Sequence, residues 1–186
     1  MTTAAKGAFR DHELLDADTV ARSIGRIASE AKPLFMHAGA AAIVGIRRGG
    51  VPLAESIAKK LVGEFGYAID VGTLDIALYR DDAATALPDP KIGPSEISFP
   101  VNGRDIVLVD DVLQTGRTIR AAIDALLDYG RPRRIWLAVL VDRGGRELPI
   151  AADFVGRVVD VPREVKLDAR FEQGSCRVVA RVPVES

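Results

Sequence analysis

The residues best equipped for chemistry sit together in residues 106–118, IVLVDDVLQTGRT. Ile106, Val107, Leu108 and Val109 form a short apolar run whose length and β-branching suit a strand buried on both faces. Asp110 and Asp111 follow, then a loop closed by Thr115, Gly116, Arg117 and Thr118, then a helical pattern. A loop ahead of a helix N-terminus offers unpaired N–H groups and the positive end of the helix dipole, a combination that binds a phosphate dianion. Gly116 has no Cβ to hold a ligand away. Thr115 and Thr118 add hydroxyl donors, and Arg117 adds charge. Adjacent carboxylates repel phosphate but accept hydrogen bonds from vicinal hydroxyls, or hold a cation. One such loop would grip both ends of a ribose 5-phosphate, the diol on Asp110 and Asp111 and the phosphate on the amides.

A second apolar run, residues 41–46, leads into Arg47, Arg48, Gly49 and Gly50 and then a helical stripe over residues 51–65. Two arginines beside tight-turning glycines suit a more heavily charged group such as pyrophosphate. Taken alone, such a turn is equally at home on any protein surface.

These loops need elements to hold them. An apolar stripe (Val20, Ile24, Ile27, Ala28, Ala31) makes a helix to about residue 32, capped by Asp18 or Thr19. Residues 1–17 lack periodicity and are expected to lie over the surface. Residues 68–79 read as one long strand, or two joined near Gly72. The Pro-rich stretch at 80–104 reads as a flap, with Ile97, Phe99 and Val101 in a returning strand. Ile119, Ala122, Ile123, Leu126 and Leu127 form one helix face, and residues 135–141 another buried strand. Strand, helix and strand in this order imply parallel pairing, with the acid pair and its loop at the carboxyl edge of the sheet.

The chain's 186 residues, 48% hydrophobic and 27% charged, suit one globular α/β domain. No apolar run approaches the ~20 residues of a membrane span. No secretory signal is visible, and a lone cysteine, Cys176, cannot form an internal disulfide, so the expected compartment is the cytoplasm. His12 and His37 are too few for a His-based metal site. A net charge of −1 gives no general affinity for nucleic acid.

Residues 106–118 resemble the binding signature for 5-phosphoribosyl 1-pyrophosphate (PRPP) in type I phosphoribosyltransferases. Purine-type members often carry a carboxylate one residue before T-G-[KR]-T; here Gln114 stands there, which argues against a purine. LDIALYRDD (74–82), LVDDVLQTGRTIRAAIDALLDYGRP (108–132) and LVDRGGRELPIAADFVGR (140–157) resemble more narrowly the bifunctional pyrimidine operon regulator and uracil phosphoribosyltransferase family, PyrR. The resemblance implies a type I phosphoribosyltransferase fold, a mainly parallel twisted sheet flanked by helices. A flap at about 80–104 and a small hood from the two chain ends complete one domain, 1–186. It also implies dimers or larger assemblies.

The implied reaction is uracil plus PRPP giving UMP and pyrophosphate, with Mg²⁺. The implied roles are the ribose diol on Asp110 and Asp111, and the 5-phosphate on Thr115, Gly116, Arg117 and Thr118, with Leu113 and Gln114 lining that loop. Arg47 and Arg48 stand by the pyrophosphate, in a loop that in this superfamily often contains a non-proline cis peptide. Arg80 swings in with the flap. Asp142 helps hold Mg²⁺ through water. Phe154 and Val155 cover the base, core packing being the alternative for Phe154. For Arg143 and Arg146 the alternatives are product binding, an RNA face and surface ion pairs. The family's second role is UMP-dependent binding of leader RNA, which attenuates transcription. Family members usually have His where this chain has Gly145, and often a basic residue at Ala151; both differences thin a basic RNA-facing surface. The family's T-R-G is here Arg48-Gly49-Gly50. Two alternatives to the uracil enzyme are a nucleotide-sensing regulator with weak catalysis and a transferase for another base.

Overall fold

The computed structural model describes residues 9–79, 94–172 and 174–184. Five parallel strands form the main sheet, in the order β3 (Val71–Leu74), β2 (Ala41–Ile46), β4 (Asp105–Leu113), β5 (Arg134–Asp142), β6 (Phe154–Val158). A second, antiparallel sheet joins the two ends of the chain: β1 (Phe9–Leu15), β8 (Ser175–Pro183), β7 (Lys166–Glu172).

Every residue of β2 is buried, and so is β4 from Asp105 to Asp110. Both therefore appear in sequence as unbroken apolar runs, because helices cover both faces of the sheet. On one face Ile43, Val107, Val109, Ala138 and Leu140 pack against α1 (Ala17–Ala31) and α2 (Gly50–Phe65). On the other, Val44, Ile46, Ile106, Leu108 and Val139 pack against Ile119, Ala122 and Leu126 of α3 (Arg117–Leu127). Gly66 ends α2 in the left-handed conformation, φ +73°, its N–H donating to Val62 O.

Four local expectations change. The first helix is capped by Asp16, whose carboxylate accepts from Thr19 N at 2.8 Å, rather than by Asp18 or Thr19. Part of the expected irregular N-terminus is strand β1; its first five residues are exposed, so no alternation marks it, and backbone pairing to β8 creates it. The long strand over 68–79 is only β3. Asp75 stops it by accepting from Ala77 N at 2.8 Å, a side-chain turn that diverts the backbone from the ladder. The returning strand at 97–101 reduces to one bridge, Thr73 with Glu96, while Phe99 and Val101 are buried as core residues. Residues 80–93, most of the expected flap, lie outside the described residues. Among those described, no helix is long and apolar enough to cross a membrane.

Leu108, wholly buried between the sheet and α3, tests this packing. Leu108→Ala should cost about 3 kcal/mol in urea unfolding. A loss below about 1 kcal/mol would mean that face of the sheet is not close-packed as described.

Candidate functional site

The chain runs from β2 outward to β3, then returns to β4 on the other side of β2. That reversal opens a crevice beyond the carboxyl ends of β2 and β4, where doubly wound sheets bind ligands. The two loops singled out in the sequence flank it.

The turn after β2 carries Arg47, Arg48 and Gly49, with a cis peptide between Arg47 and Arg48. It presses against the end of β4. A Cβ on Gly49 would lie 2.2 Å from Asp111 Oδ2, and one on Gly50 2.1 Å from Val109 O. Only glycine permits this approach at either position. Arg48 is exposed and Arg47 half-buried. Arg47 Nε is buried and has no hydrogen-bond partner among the described residues, an unusual state for a buried donor.

Asp110 is 5% exposed, and Asp111 is half-buried. Asp111 N donates to Asp110 Oδ1 at 3.1 Å, and Val112 N to Asp111 Oδ1 at 2.9 Å. Burial, then the adjacent Asp111 carboxylate, pushes the Asp110 carboxyl well above its ordinary value. Burial also raises Asp111, and the Asp168 carboxylate adds to that, against the opposing N–H bond from Val112.

Beyond the acids, Gly116 adopts φ +92° as the N-cap of α3, a position with no side chain of its own to cap the helix. Arg117 N donates to Thr115 Oγ1 at 3.3 Å, and Thr115, Gly116 and Thr118 border the crevice at this helix start. Thr115 O anchors the loop by accepting from Glu147 N and Leu148 N at 3.0 and 3.1 Å. Arg117 Nε pairs with Glu147 at 2.8 Å.

A cavity of about 750 Å³ opens over this loop; Asp110, Gln114, Thr115, Gly116 and Thr118 line one side and residues 163–167 the other. A second, about 540 Å³, lies over Arg47, Arg48 and Gly49 and is walled by Asp168 and Phe171 of β7. Asp110, Val112 and Thr118 line both. The two are halves of one cleft, divided at the acid pair.

The structure thus gathers Arg47, Arg48, Asp110, Asp111, Gln114, Thr115, Gly116 and Thr118. Leu113, 1% exposed, packs in the core and borders the larger cavity. The remaining expected residues take other positions. Phe154 is a core residue, stacked on Trp136 with ring centroids 6.0 Å apart. Val155 packs on the α3 side of the sheet, its carbonyl taken by Arg26. Neither lines the cleft; residues 163–167 do. Asp142 is engaged by Arg146 at 2.5 Å and by Gly144 N at 2.9 Å. Arg146 also donates to Gln114 O and Ile150 O, both at 2.9 Å, and Arg143 is 8% exposed with its guanidinium turned inward. These two arginines brace loops and offer no outward RNA face. Arg80 lies outside the described residues. The sequence reading missed Asp168 and the 163–167 wall, which carry no motif; both derive their place from β7 folding back over the sheet.

The raised acid has a testable consequence. Between the ordinary carboxylate value and the raised one, the folded chain holds protons that the unfolded chain has lost. Ligand-free stability therefore falls as pH rises through that window. Asp110→Asn keeps the acceptor for Asp111 N and removes the buried charge. In thermal melts the ligand-free variant should exceed the wild type by about 2–4 °C at pH 7. The gap should close toward about pH 4. An equal or lower melting point at pH 7 would contradict the buried-charge account.

The phosphoribosyl transferase domain family matches residues 12–166. Bifunctional protein PyrR of Roseiflexus sp. is 51% identical over 88% of this chain and 89% of its own length. Its counterpart in Pelotomaculum thermopropionicum is 48% identical over 90% and 93%, and that of Thermus aquaticus 49% over 87% and 89%. Among solved structures, a hypoxanthine-guanine phosphoribosyltransferase from Bacillus anthracis has a TM-score of 0.63 at 15% identity, covering 80% of this chain and 83% of its own. A hypoxanthine phosphoribosyltransferase from Staphylococcus aureus gives 0.62 at 16%, covering 88% and 85%. At such identities the structural likeness speaks for the fold alone. The family match and the relatives near half identity, each aligned over most of its length, make this chain a member of the phosphoribosyl transferase domain family, among the bifunctional PyrR proteins.

Proposed function

We propose that the protein is a uracil phosphoribosyltransferase, joining uracil to C1 of PRPP to form UMP and release pyrophosphate. The observation that carries the reading is the single cleft with the start of α3 on one side, two arginines on the other and two carboxylates at the divide. A sugar with a phosphate at one end, a pyrophosphate at the other and a diol between matches that order of charges. Membership among the PyrR proteins supports uracil as the base.

In this reading the N–H groups beginning α3, with Thr115 and Thr118, hold the 5-phosphate. Asp110 and Asp111 accept hydrogen bonds from the 2- and 3-hydroxyls. Arg47 and Arg48 take the pyrophosphate, and the unpaired Arg47 Nε–H gains an acceptor. Uracil enters the larger half of the cleft, beside residues 163–167. Its N1 attacks C1 as the bond to the pyrophosphate oxygen breaks, and the N1 proton leaves to water. No strong side-chain base is required; positioning and charge do most of the work. As the ribose becomes cationic, the adjacent carboxylates favour it. Arg80 would add positive charge over the leaving group.

The donor set fits Mg²⁺, a hard cation that prefers carboxylate and water oxygens. Asp111 and Asp168 share the pyrophosphate half of the cleft, and the like-charge strain between them favours a cation there. Asp142, bound to Arg146, is less available. When bound with PRPP, the ion would neutralise pyrophosphate charge.

The relatives' shared description as bifunctional supports a second, regulatory role, sensing UMP and binding leader RNA. Arg143 and Arg146 do not supply the surface for it. A cytoplasmic homodimer or larger assembly completes the reading.

A base panel tests it. With PRPP and Mg²⁺, uracil should yield UMP while hypoxanthine and adenine yield little. The double variant Asp110→Asn, Asp111→Asn should lose activity by at least ~100-fold. Full turnover in that variant, or a purine as the preferred base, would overturn the assignment.

A further inference from the structure

The larger half of the cleft has two walls from distant parts of the chain. One is the end of β4 and the loop into α3. The other, residues 163–167, is the turn leading into β7 together with the first two residues of that strand. Arg143, the first residue after β5, reaches both. Its backbone N–H donates to Leu113 O at 3.1 Å. Its guanidinium donates to Val165 O at 2.6 Å and to Pro162 O at 2.8 Å. Pro162 O also accepts from Val165 N at 3.1 Å, so both carbonyls belong to one turn.

The choice of partners is unusual. Arg143 is 8% exposed, yet no carboxylate pairs with it among the described residues. Burial without a counter-charge pulls its guanidinium below its ordinary value. A buried cation satisfied by two carbonyls costs desolvation that an apolar residue would not incur. What it provides is geometry. A planar fork fixes two acceptors at once, which an ammonium cannot do.

We propose that Arg143 is a positioning residue that sets the spacing between the two walls of the larger half-cleft, and so the fit of the nucleobase. Arg143 borders this half of the cleft, but its guanidinium is held by the Val165 and Pro162 carbonyls, so it acts through the wall rather than on the reacting atoms. Its fork holds the Pro162–Val165 turn, and its backbone ties that turn to the strand bearing the acid pair. The pyrophosphate half, lined by Arg47, Arg48 and Asp168, has no contact with the fork. The 5-phosphate rests on the α3 wall alone, which Arg146, Glu147 and Leu148 hold through Gln114 O and Thr115 O without the fork. Loss of the fork therefore affects the base, which meets both walls, far more than PRPP. The proposal rests on the transferase reading only in taking this half of the cleft as the base site.

The test uses full-length wild type, Arg143→Met and Arg143→Lys. A panel of uracil, hypoxanthine, guanine and adenine first identifies the base that the wild type accepts. KM for that base and for PRPP are then measured in each variant, alongside thermal melts. Two charge-assisted hydrogen bonds are lost in Arg143→Met, so KM for the base should rise ~10-fold or more. KM for PRPP should stay within about twofold. Arg143→Lys, which keeps the charge and one donor direction, should fall between. If Arg143→Met fails to fold, the Lys variant alone must show the same split. An unchanged KM for the base in either folded variant, or equal losses in both KM values, would overturn the proposal. If the wild type turns over no base, the transferase reading fails instead. If it prefers a base other than uracil, only the choice of base fails.

Discussion

A buried carboxylate with a second, half-buried one beside it is costly for any fold. Here Asp110 and Asp111 stand where a fully buried strand meets a crevice, and their own backbone meets little of that cost. What surrounds them makes the placement intelligible. Arg47 and Arg48 lie on one side and a glycine-capped helix start on the other, and Gly49 is close enough that a single methyl would displace Asp111. The site is short of partners for its acids and rich in donors for anions at its edges. A diol between two phosphoryl groups reverses both conditions.

The two sheets divide the labour. The parallel sheet sets the acids, the two-arginine turn and the start of α3 at its switch point. The antiparallel sheet lays residues 163–167 and Asp168 over them. Arginines join the parts through backbone carbonyls: Arg26 holds the carbonyls of Val155 and Gly156 on the edge strand β6, Arg146 braces the loop at Gln114, and Arg143 ties the turn at Pro162 and Val165. Such contacts are directional and give loops fixed positions, whereas apolar packing alone gives elements that position.

Much of this was legible in residues 41–50 and 106–118. An apolar run long enough for a doubly covered strand, followed by residues of one chemical purpose, identifies itself without its neighbours. The PyrR resemblance added the fold around them. What stayed hidden depended on pairing across the chain. β1 shows no alternation because its outer residues face solvent on both sides. Asp168 is one acid in a mixed strand, and only its position over Asp111 gives it meaning. Phe154 resembled a base cover, yet its ring turned onto Trp136. Arg143 and Arg146 look like surface charge in a list of residues, and the carbonyls of Val165, Pro162 and Gln114 that they hold lie about 20 or more residues away, where sequence spacing cannot place them.

The central claim is that the acid pair grips the ribose diol. Calorimetric titration of the wild type with UMP and with its 2′-deoxy counterpart measures it, since the two ligands differ by one hydroxyl. Losing a hydrogen bond to a charged acceptor should weaken binding ~10-fold or more. Equal affinities would contradict the account and leave Asp110 and Asp111 without the role assigned to them.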